Sequence, residues 1–252
     1  MQCPKAILFD LDDTLSPPHI PIEPEMARAL ERLLAIIPVA VVTAAPFQRI
    51  ERDVLSRLPS ASDLKNLYVS SENGAQCRMR HNDEWQIAYM ETISTEEREE
   101  IKTAILSAVN ETGSLEGIHS YGEQMLDREA GVTFSTLGAG APQQVRETWD
   151  PDLSRRKKLY AAISQKLPHW NVYIGGLTSI DISRHGVSKA RAVSWLSEHL
   201  RTPASEMLYI GDALYEGGND HVVIQTGIQT WQTKDPRETL SIMGELLAAC
   251  TV

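Results

Sequence analysis

The sequence predicts an α/β fold: a doubly wound parallel-sheet (Rossmann-like) core with an inserted α+β domain. Near both ends of the chain, short β-branched apolar runs alternate with amphipathic helical patterns. In the middle of the chain, polar and apolar residues alternate with period two, which is typical of an antiparallel sheet with one covered face. Each apolar run near the chain ends leads into polar residues or glycine. Parallel α/β sheets bind ligands beyond the carboxyl ends of their strands, where these polar residues and glycines lie.

Four apolar runs predict buried parallel strands, at residues 5–10, 38–45, 66–74 and 206–213. Three segments place apolar residues on one helical face, at residues 23–37, 46–58 and 188–200. We therefore assign residues 1–83 and 184–252 to the Rossmann-like core.

Residues 84–183 are predicted to form the inserted α+β domain. Alternating stretches at 131–138 and 171–183 predict strands, and residues 94–110 and 154–167 predict helices. The basic run at 155–158 predicts a solvated helix face.

Composition restricts the classes of function. The 252 residues carry a net charge of −10, which argues against nonspecific binding to nucleic acid or to anionic membranes. The longest apolar run, residues 35–45, is too short to span a bilayer. The three cysteines are far apart and have no CxxC spacing, so we expect free thiols in a reducing compartment. With no secretory signal, we expect a cytoplasmic protein.

The segment "ILFDLDDTL" places Asp10, Asp12 and Asp13 directly after a predicted buried strand. Clustered carboxylates repel one another unless a cation is bound. Asp10 and Asp12 lie two residues apart and so point to the same side of an extended chain. Aspartyl phosphoryl transfer needs such a pair, with one carboxylate as nucleophile and the other as proton carrier. A divalent cation would offset the clustered charge.

The acidic cluster has alternative interpretations. An acidic turn after a strand is an ordinary alternative. An EF-hand loop beginning at Asp10 would require glycine and glutamate where the chain has Leu15 and Pro21. The chain contains no GxxxxGK[ST] motif, and no GxGxxG follows a strand, so neither nucleotide-binding loop is indicated.

A second acidic loop, "GDALYEGGND", contains Asp212, Asn219 and Asp220. Its oxygen ligands suit a hard cation such as Mg²⁺, although Gly, Asn and Asp are also common in loops. Thr43 ends the second strand, where a hydroxyl and a helix start could hold phosphate or simply cap the turn. Lys189 begins a helix; a lone lysine there is usually exposed.

Four signals follow one another along the chain: DxDxT, a hydroxyl at a strand end, a lysine at a helix start, and GDxxxxGGND. Their order resembles that found in the haloacid dehalogenase superfamily of aspartate-nucleophile phosphotransferases. The resemblance implies that Asp10 is the nucleophile and Asp12 the general acid/base. It implies that Thr43 and Lys189 hold the transferring phosphoryl group. Asp212 would complete a magnesium site with Asp10 and the Asp12 carbonyl. The inserted domain would be the large α/β cap of one subgroup.

Four segments of the chain are similar to eukaryotic-type phosphomannomutases: "DLDDTLSPPHIPIEPEM", "SENGAQ", "GGLTSIDIS" and "GDALYEGGNDH". That similarity implies magnesium-dependent interconversion of hexose 6- and 1-phosphates, and dimerisation through the cap. It aligns Arg128, Arg146, Ser179 and Asp181 with residues that bind the sugar phosphate. Ser179 and Asp181 alternate onto one strand face, and arginines clamp phosphate with paired hydrogen bonds.

The chain departs from this family pattern at two positions. Ala139 stands where an arginine is usual, and Asp13 where most members have glycine. Alanine at position 139 removes a phosphate-clamping charge. The alternative to a phosphomannomutase-like enzyme is therefore a hexose-phosphate or other small-metabolite phosphatase. A catalytically dead binding protein is a third interpretation. It is disfavoured because the expected nucleophile, proton carrier, lysine and metal ligand are all present.

Overall fold

A computed structural model describes residues 3–59, 62–216 and 218–251. The chain separates into two compact units, of which the larger combines Met1–Met90 with Ser188–Val252 and the smaller is Glu91–Val187. Within the described part of the chain, no helix is both long and apolar enough to cross a membrane.

The strands, in chain order, are β1 (Ile7–Phe9), β2 (Val39–Val42), β3 (Leu67–Ser71), β4 (Gln76–His81), β5 (Glu84–Met90), β6 (Met125–Arg128), β7 (Gly131–Ser135), β8 (Trp170–Gly175), β9 (Ser179–Arg184), β10 (Leu208–Gly211) and β11 (Gln229–Gln232). The helices are α1 (Pro24–Leu34), α2 (Phe47–Asp53), α3 (Thr95–Thr112), α4 (Gln143–Trp149), α5 (Ser154–Lys166), α6 (Lys189–Leu200) and α7 (Pro236–Cys250).

The larger unit contains a seven-stranded sheet in the order β11-β10-β1-β2-β3-β4-β5. The first five strands in this order are parallel, and they include all four strands predicted from apolar runs. Alternate residues of β1 enter different cores: Ile7 and Phe9 belong to one cluster, and Leu8 to another. Both faces of the sheet are therefore covered, which confirms the predicted α/β core and explains its continuous apolar runs.

Strands β4 and β5 were not recognised from the sequence. They form an antiparallel hairpin that extends the larger sheet beyond β3. Its turn residues, Asn82 and Asp83, both have positive φ, of 50° and 62°, as a tight hairpin turn requires. The sequence predicts that the insertion begins at residue 84, whereas pairing of β5 with β4 keeps this strand in the larger unit.

The smaller unit contains a four-stranded antiparallel sheet in the order β6-β7-β9-β8, which confirms the predicted separate α+β architecture. One face of the sheet is buried, and α3 and α5 contribute Ile105 and Ile163 to its core. Helix α3 begins with a capping box between Ser94 and Glu97 and ends at Gly113, which is left-handed with φ 59°.

The prediction that residues 155–158 form a solvated face is wrong for Arg156. This arginine is buried, and its Nε donates to Asp150 Oδ2 at 3.0 Å. Its NH1 group donates to the carbonyls of Gly175 and Gly176 at 3.1 and 2.6 Å. A buried guanidinium needs such partners, and charge patterning along the sequence does not indicate which basic residue has them.

The expectation of three free thiols is wrong for two of them. Cys3 and Cys250 form a disulfide across 247 positions of sequence, while Cys77 is free and buried. Both cysteines pack against the apolar cluster that also contains residues of β1 and α7. The thiol argument for a reducing compartment therefore does not apply to this pair.

We predict that the native protein does not react with a thiol reagent at neutral pH, because burial raises the pKa of Cys77 to about 12. The unfolded, unreduced chain should show one reactive thiol, and the unfolded, reduced chain all three cysteines. Reduction should also lower the free energy of unfolding by about 2–4 kcal/mol, measured by denaturant titration. Three reactive thiols without reduction would contradict the disulfide.

Candidate active site

The carboxyl ends of β1 and β10 hold the central charges of the site. Asp10 follows β1 and donates its backbone N–H to the carbonyl of Ile210 at 3.0 Å. Lys189, the first residue of α6, is buried, and its Nζ donates to Asp10 Oδ1 at 2.8 Å and to Asp220 Oδ1 at 2.7 Å. The predicted nucleophile and the predicted phosphate-binding lysine are thus in direct contact.

Asp220 is held by several donors besides Lys189. The hydroxyl of Tyr209 donates to its Oδ1 at 2.6 Å, and the backbone N–H of Ala213 donates to its Oδ2 at 3.2 Å. A Cβ atom on Gly211 would lie 2.4 Å from Asp220 Oδ2. Only glycine at position 211 leaves room for this carboxylate against the end of the strand.

Asp10, Asp212 and Asp220 form an acidic group whose ligand oxygens all lie within 4.8 Å of one another. Burial raises the pKa of both Asp10 and Asp212, and the charge of Asp220 raises both further, while Lys189 opposes the rise. Lys189 supplies one positive charge against three carboxylates. Carboxylate oxygens at this spacing and a surplus of negative charge fit a hard divalent cation such as Mg²⁺.

The two other carboxylates of the first motif have different surroundings. Both oxygens of Asp12 accept hydrogen bonds from the guanidinium of Arg49, one of them at 2.9 Å. Arg49 also donates from Nε to Asp53 Oδ2 at 3.3 Å. Asp13 is exposed and left-handed, with φ 57°. This conformation explains why glycine suits position 13, and aspartate is among the residues that tolerate it.

The remaining predicted core residues lie near the same edge of the sheet. Thr43 is buried directly after β2, and its hydroxyl accepts a hydrogen bond from the backbone N–H of Ala45 at 3.1 Å. Asn219 lies in the second acidic loop and is exposed. Gly217, the first glycine of the expected diglycine, lies outside the described residues.

In the smaller unit, three polar side chains form a chain of hydrogen bonds on the sheet face opposite its core. Arg128 Nε donates to Thr133 Oγ1 at 3.2 Å, and that hydroxyl donates to Asp181 Oδ1 at 2.7 Å. Ser179 lies two residues away on the same face, and its hydroxyl donates to the Gly175 carbonyl at 2.9 Å. Burial raises the pKa of Asp181, which the Thr133 hydrogen bond and the charge of Arg128 counteract.

Arg146 lies on α4 and bonds to backbone. Its Nε donates to the carbonyl of Ala141 at 2.8 Å and its NH2 group donates to the carbonyl of Ala139 at 2.7 Å. The Ala139 side chain is exposed. The position at which an arginine was expected therefore adjoins another arginine through its main chain.

Sequence reasoning missed Tyr209 and Arg49. A tyrosine within the short buried strand β10 could have raised the question of where its hydroxyl bonds. No local pattern indicates Arg49, since Asp12 lies 37 residues earlier in the chain.

Solved structures share the fold of this chain. The IMP-nucleotidase of Plasmodium falciparum superposes with a TM-score of 0.72 at 15% identity, covering 99% of this chain and 70% of that chain. The C-terminal domain of Candida albicans trehalose-6-phosphate phosphatase gives a TM-score of 0.67 at 15% identity, covering 98% and 93%. The parallel-rich sheet together with a separate antiparallel sheet is the fold that this chain shares with these structures.

The sequence comparison is more specific. The profile of the eukaryotic phosphomannomutase family matches residues 26–249. A phosphomannomutase of Spinacia oleracea is 25% identical over 245 residues, covering 95% of this chain and 94% of the relative. One of Solanum lycopersicum is 27% identical over 239 residues, covering 92% and 90%. The chain belongs to the eukaryotic phosphomannomutase family.

We predict that Lys189→Met lowers the free energy of unfolding by about 3–5 kcal/mol at about pH 8, because it leaves buried carboxylates unpaired. Without Lys189 the pKa of Asp10 rises further above its unfolded value. The folded variant then binds more protons than the unfolded chain, so its stability should recover as the pH falls to about 5. Denaturant titration at both pH values, in the presence of a chelator, measures this.

Lys157→Met is the matched control, since Lys157 is exposed on α5. Its effect should stay within about 0.5 kcal/mol at both pH values. An equal loss for Lys189→Met at the two pH values would contradict the pairing of this lysine with ionised Asp10.

Proposed function

We propose that the protein transfers phosphoryl groups between hydroxyls of a sugar phosphate through an aspartyl-phosphate at Asp10, with the aid of Mg²⁺. The reaction would be phosphomannomutase-like, interconverting hexose 6- and 1-phosphates. The observation that carries the proposal is the contact of Lys189 with Asp10 inside an acidic group of three carboxylates. Membership of the eukaryotic phosphomannomutase family supports the substrate class.

Asp10 is the nucleophile in this mechanism. One of its oxygens attacks the phosphorus of a bound sugar bisphosphate, and the phosphorus–oxygen bond to the sugar breaks. Lys189 orients the carboxylate before attack and offsets the negative charge that the phosphoryl oxygens bring. The hydroxyl of Thr43 accepts a bond from Ala45, so its own proton can be donated to a phosphoryl oxygen.

Asp12 is the proton carrier in this mechanism. It gives a proton to the leaving sugar oxygen and later takes one from the attacking hydroxyl of the acceptor. The paired hydrogen bonds of Arg49 orient the Asp12 carboxylate, and one of them must open for Asp12 to carry a proton.

Asp10, Asp212 and Asp220, together with the Asp12 carbonyl and Asn219, are the proposed ligands of Mg²⁺. When bound, the ion would polarise the phosphoryl oxygens and neutralise part of the charge of the carboxylates. The raised pKa values of Asp10 and Asp212 support this proposal, because burial and the charge of Asp220 disfavour the ionised carboxylates, which a bound cation would stabilise.

Arg128, Arg146, Ser179 and Asp181 are the proposed sugar-phosphate ligands of the smaller unit. Of these, Arg128 and Asp181 belong to one hydrogen-bonded chain, and Ser179 shares their sheet face. A row of polar side chains on one sheet face suits sugar hydroxyls and a phosphate.

A second candidate function is hydrolysis of a sugar phosphate or another small phosphorylated metabolite by the same Asp10 chemistry. Ala139 favours it, since the usual arginine is replaced by a small exposed side chain. A weaker hold on the second phosphate would let water replace the sugar hydroxyl as acceptor.

Phosphorus NMR distinguishes the two candidates. With mannose 6-phosphate, Mg²⁺ and a catalytic amount of hexose 1,6-bisphosphate, we expect the sugar 1-phosphate to accumulate. Asp10→Asn should lower turnover at least about 1,000-fold, whereas Asp13→Asn should retain it, because asparagine also tolerates a positive φ. Free phosphate as the sole product would exclude the mutase, and full turnover by Asp10→Asn would exclude the covalent mechanism.

We predict that Ala139→Arg raises the ratio of sugar 1-phosphate to free phosphate at least about tenfold, since hydrogen bonds to charged groups contribute about 1.5–3 kcal/mol. The same NMR assay measures the ratio. Ala139→Gln is the control, with a long uncharged side chain at the same exposed position. Equal ratios for the two variants would show that the charge at position 139 does not select the acceptor.

A further inference from the structure

Three consecutive residues next to the site adopt left-handed backbone conformations. Glu72, Asn73 and Gly74, which we call the left-handed turn, have φ of 50°, 55° and 85°. Such conformations are costly for residues other than glycine and persist where surrounding contacts hold them. The mechanism proposed above uses none of these residues, so the reason for the strain lies in what the turn contacts.

On one side, the turn is bonded to the loop of Thr43. The backbone N–H of Asn73 donates to the carbonyl of Thr43 at 2.9 Å, and that of Glu72 donates to the carbonyl of Ala45 at 3.0 Å. Ala45 in turn donates to the Thr43 hydroxyl. The main chain of the turn therefore fixes the loop that carries Thr43.

On the other side, the turn lies against the start of α6. A Cβ atom on Gly74 would lie 2.2 Å from the carbonyl oxygen of Ser188 and 3.0 Å from its carbonyl carbon. That carbonyl accepts the backbone N–H of Arg191 at 2.9 Å, so it belongs to the first turn of the helix. Lys189 follows Ser188 directly, and any displacement at this contact moves its backbone.

Tyr89 forms a second connection between the left-handed turn and α6. Its hydroxyl donates to the carbonyl of Gly74 at 3.1 Å, and the guanidinium of Arg191 lies 4.9 Å from the centre of its ring. Burial raises the pKa of Tyr89 to about 12, so the hydroxyl remains a donor at neutral pH.

We propose that the left-handed turn, together with Tyr89, is a positioning element that sets Thr43 and Lys189 relative to each other. The inference rests on the proposed function, in which these two residues hold the transferring phosphoryl group. Both are held through main-chain contacts with one short segment, and close main-chain contacts transmit a displacement that a flexible side chain would absorb.

The test compares Gly74→Ala with Gly227→Ala. Gly227 has a similar φ of 77°, but nothing lies within 4 Å of an added Cβ, so this variant carries the strain without the clash. Isothermal titration with inorganic phosphate in the presence of Mg²⁺ measures binding. We expect Gly74→Ala to weaken binding and to lower kcat at least about tenfold each, as misplacement of binding groups does. Gly227→Ala should stay within about twofold in both.

Melting temperature separates this role from a purely structural one. Backbone strain alone would lower the melting temperature of both variants and leave phosphate affinity unchanged in the folded protein. Tyr89→Phe keeps the ring beside Arg191 and removes the hydroxyl. It therefore tests the positioning role even if Gly74→Ala does not fold. We expect it to weaken phosphate binding about threefold, through the lost hydrogen bond to the turn.

Unchanged phosphate affinity in Tyr89→Phe and in folded Gly74→Ala would overturn the positioning role and leave the proposed function intact. If the wild-type protein does not bind phosphate with Mg²⁺ present, the proposed function and this inference are both wrong.

Discussion

The ammonium group of Lys189 is the charge on which the arrangement at the end of β1 depends. It lies between Asp10 and Asp220, and all three side chains are removed from water. Taking two carboxylates into the interior is unfavourable unless a cation and further hydrogen bonds compensate them. Tyr209 and the backbone of Ala213 supply such bonds to Asp220. The site is therefore organised around one buried ammonium group between two buried carboxylates, and with Asp212 the group of three carboxylates keeps a surplus of negative charge.

The strand order makes this contact possible. β1 lies between β2 and β10, so the carboxyl ends of these parallel strands share one edge of the sheet. At that edge Asp10 meets Lys189, which lies 179 positions later in the chain at the start of α6. The neighbouring loops are then joined across the sheet: the loop after β2 bonds to the turn after β3, and that turn lies against the start of α6. Rigid main-chain contacts thus surround a site whose own side chains repel one another, which is how preorganised electrostatics is maintained before substrate arrives.

The sequence predicted those parts whose residues carry their own local pattern. Continuous apolar runs predicted the parallel strands, and the motifs that contain Asp10, Thr43, Lys189 and Asp212 carried the resemblance that indicated the family. The hairpin of β4 and β5 was missed although Asn82 and Asp83 form a two-residue turn between alternating strands, a pattern that sequence alone offers. Arg49 could not be found in this way, since its partner is remote in sequence. The same holds for the pairing of Cys3 with Cys250.

That disulfide also changes the topology of the polypeptide. The larger unit is made of two separate segments of chain, which the smaller unit connects at one end. Cys3 and Cys250 connect the same two segments a second time, so residues 3–250 form a closed covalent ring. A single backbone cut within that ring leaves one covalently connected molecule rather than two fragments.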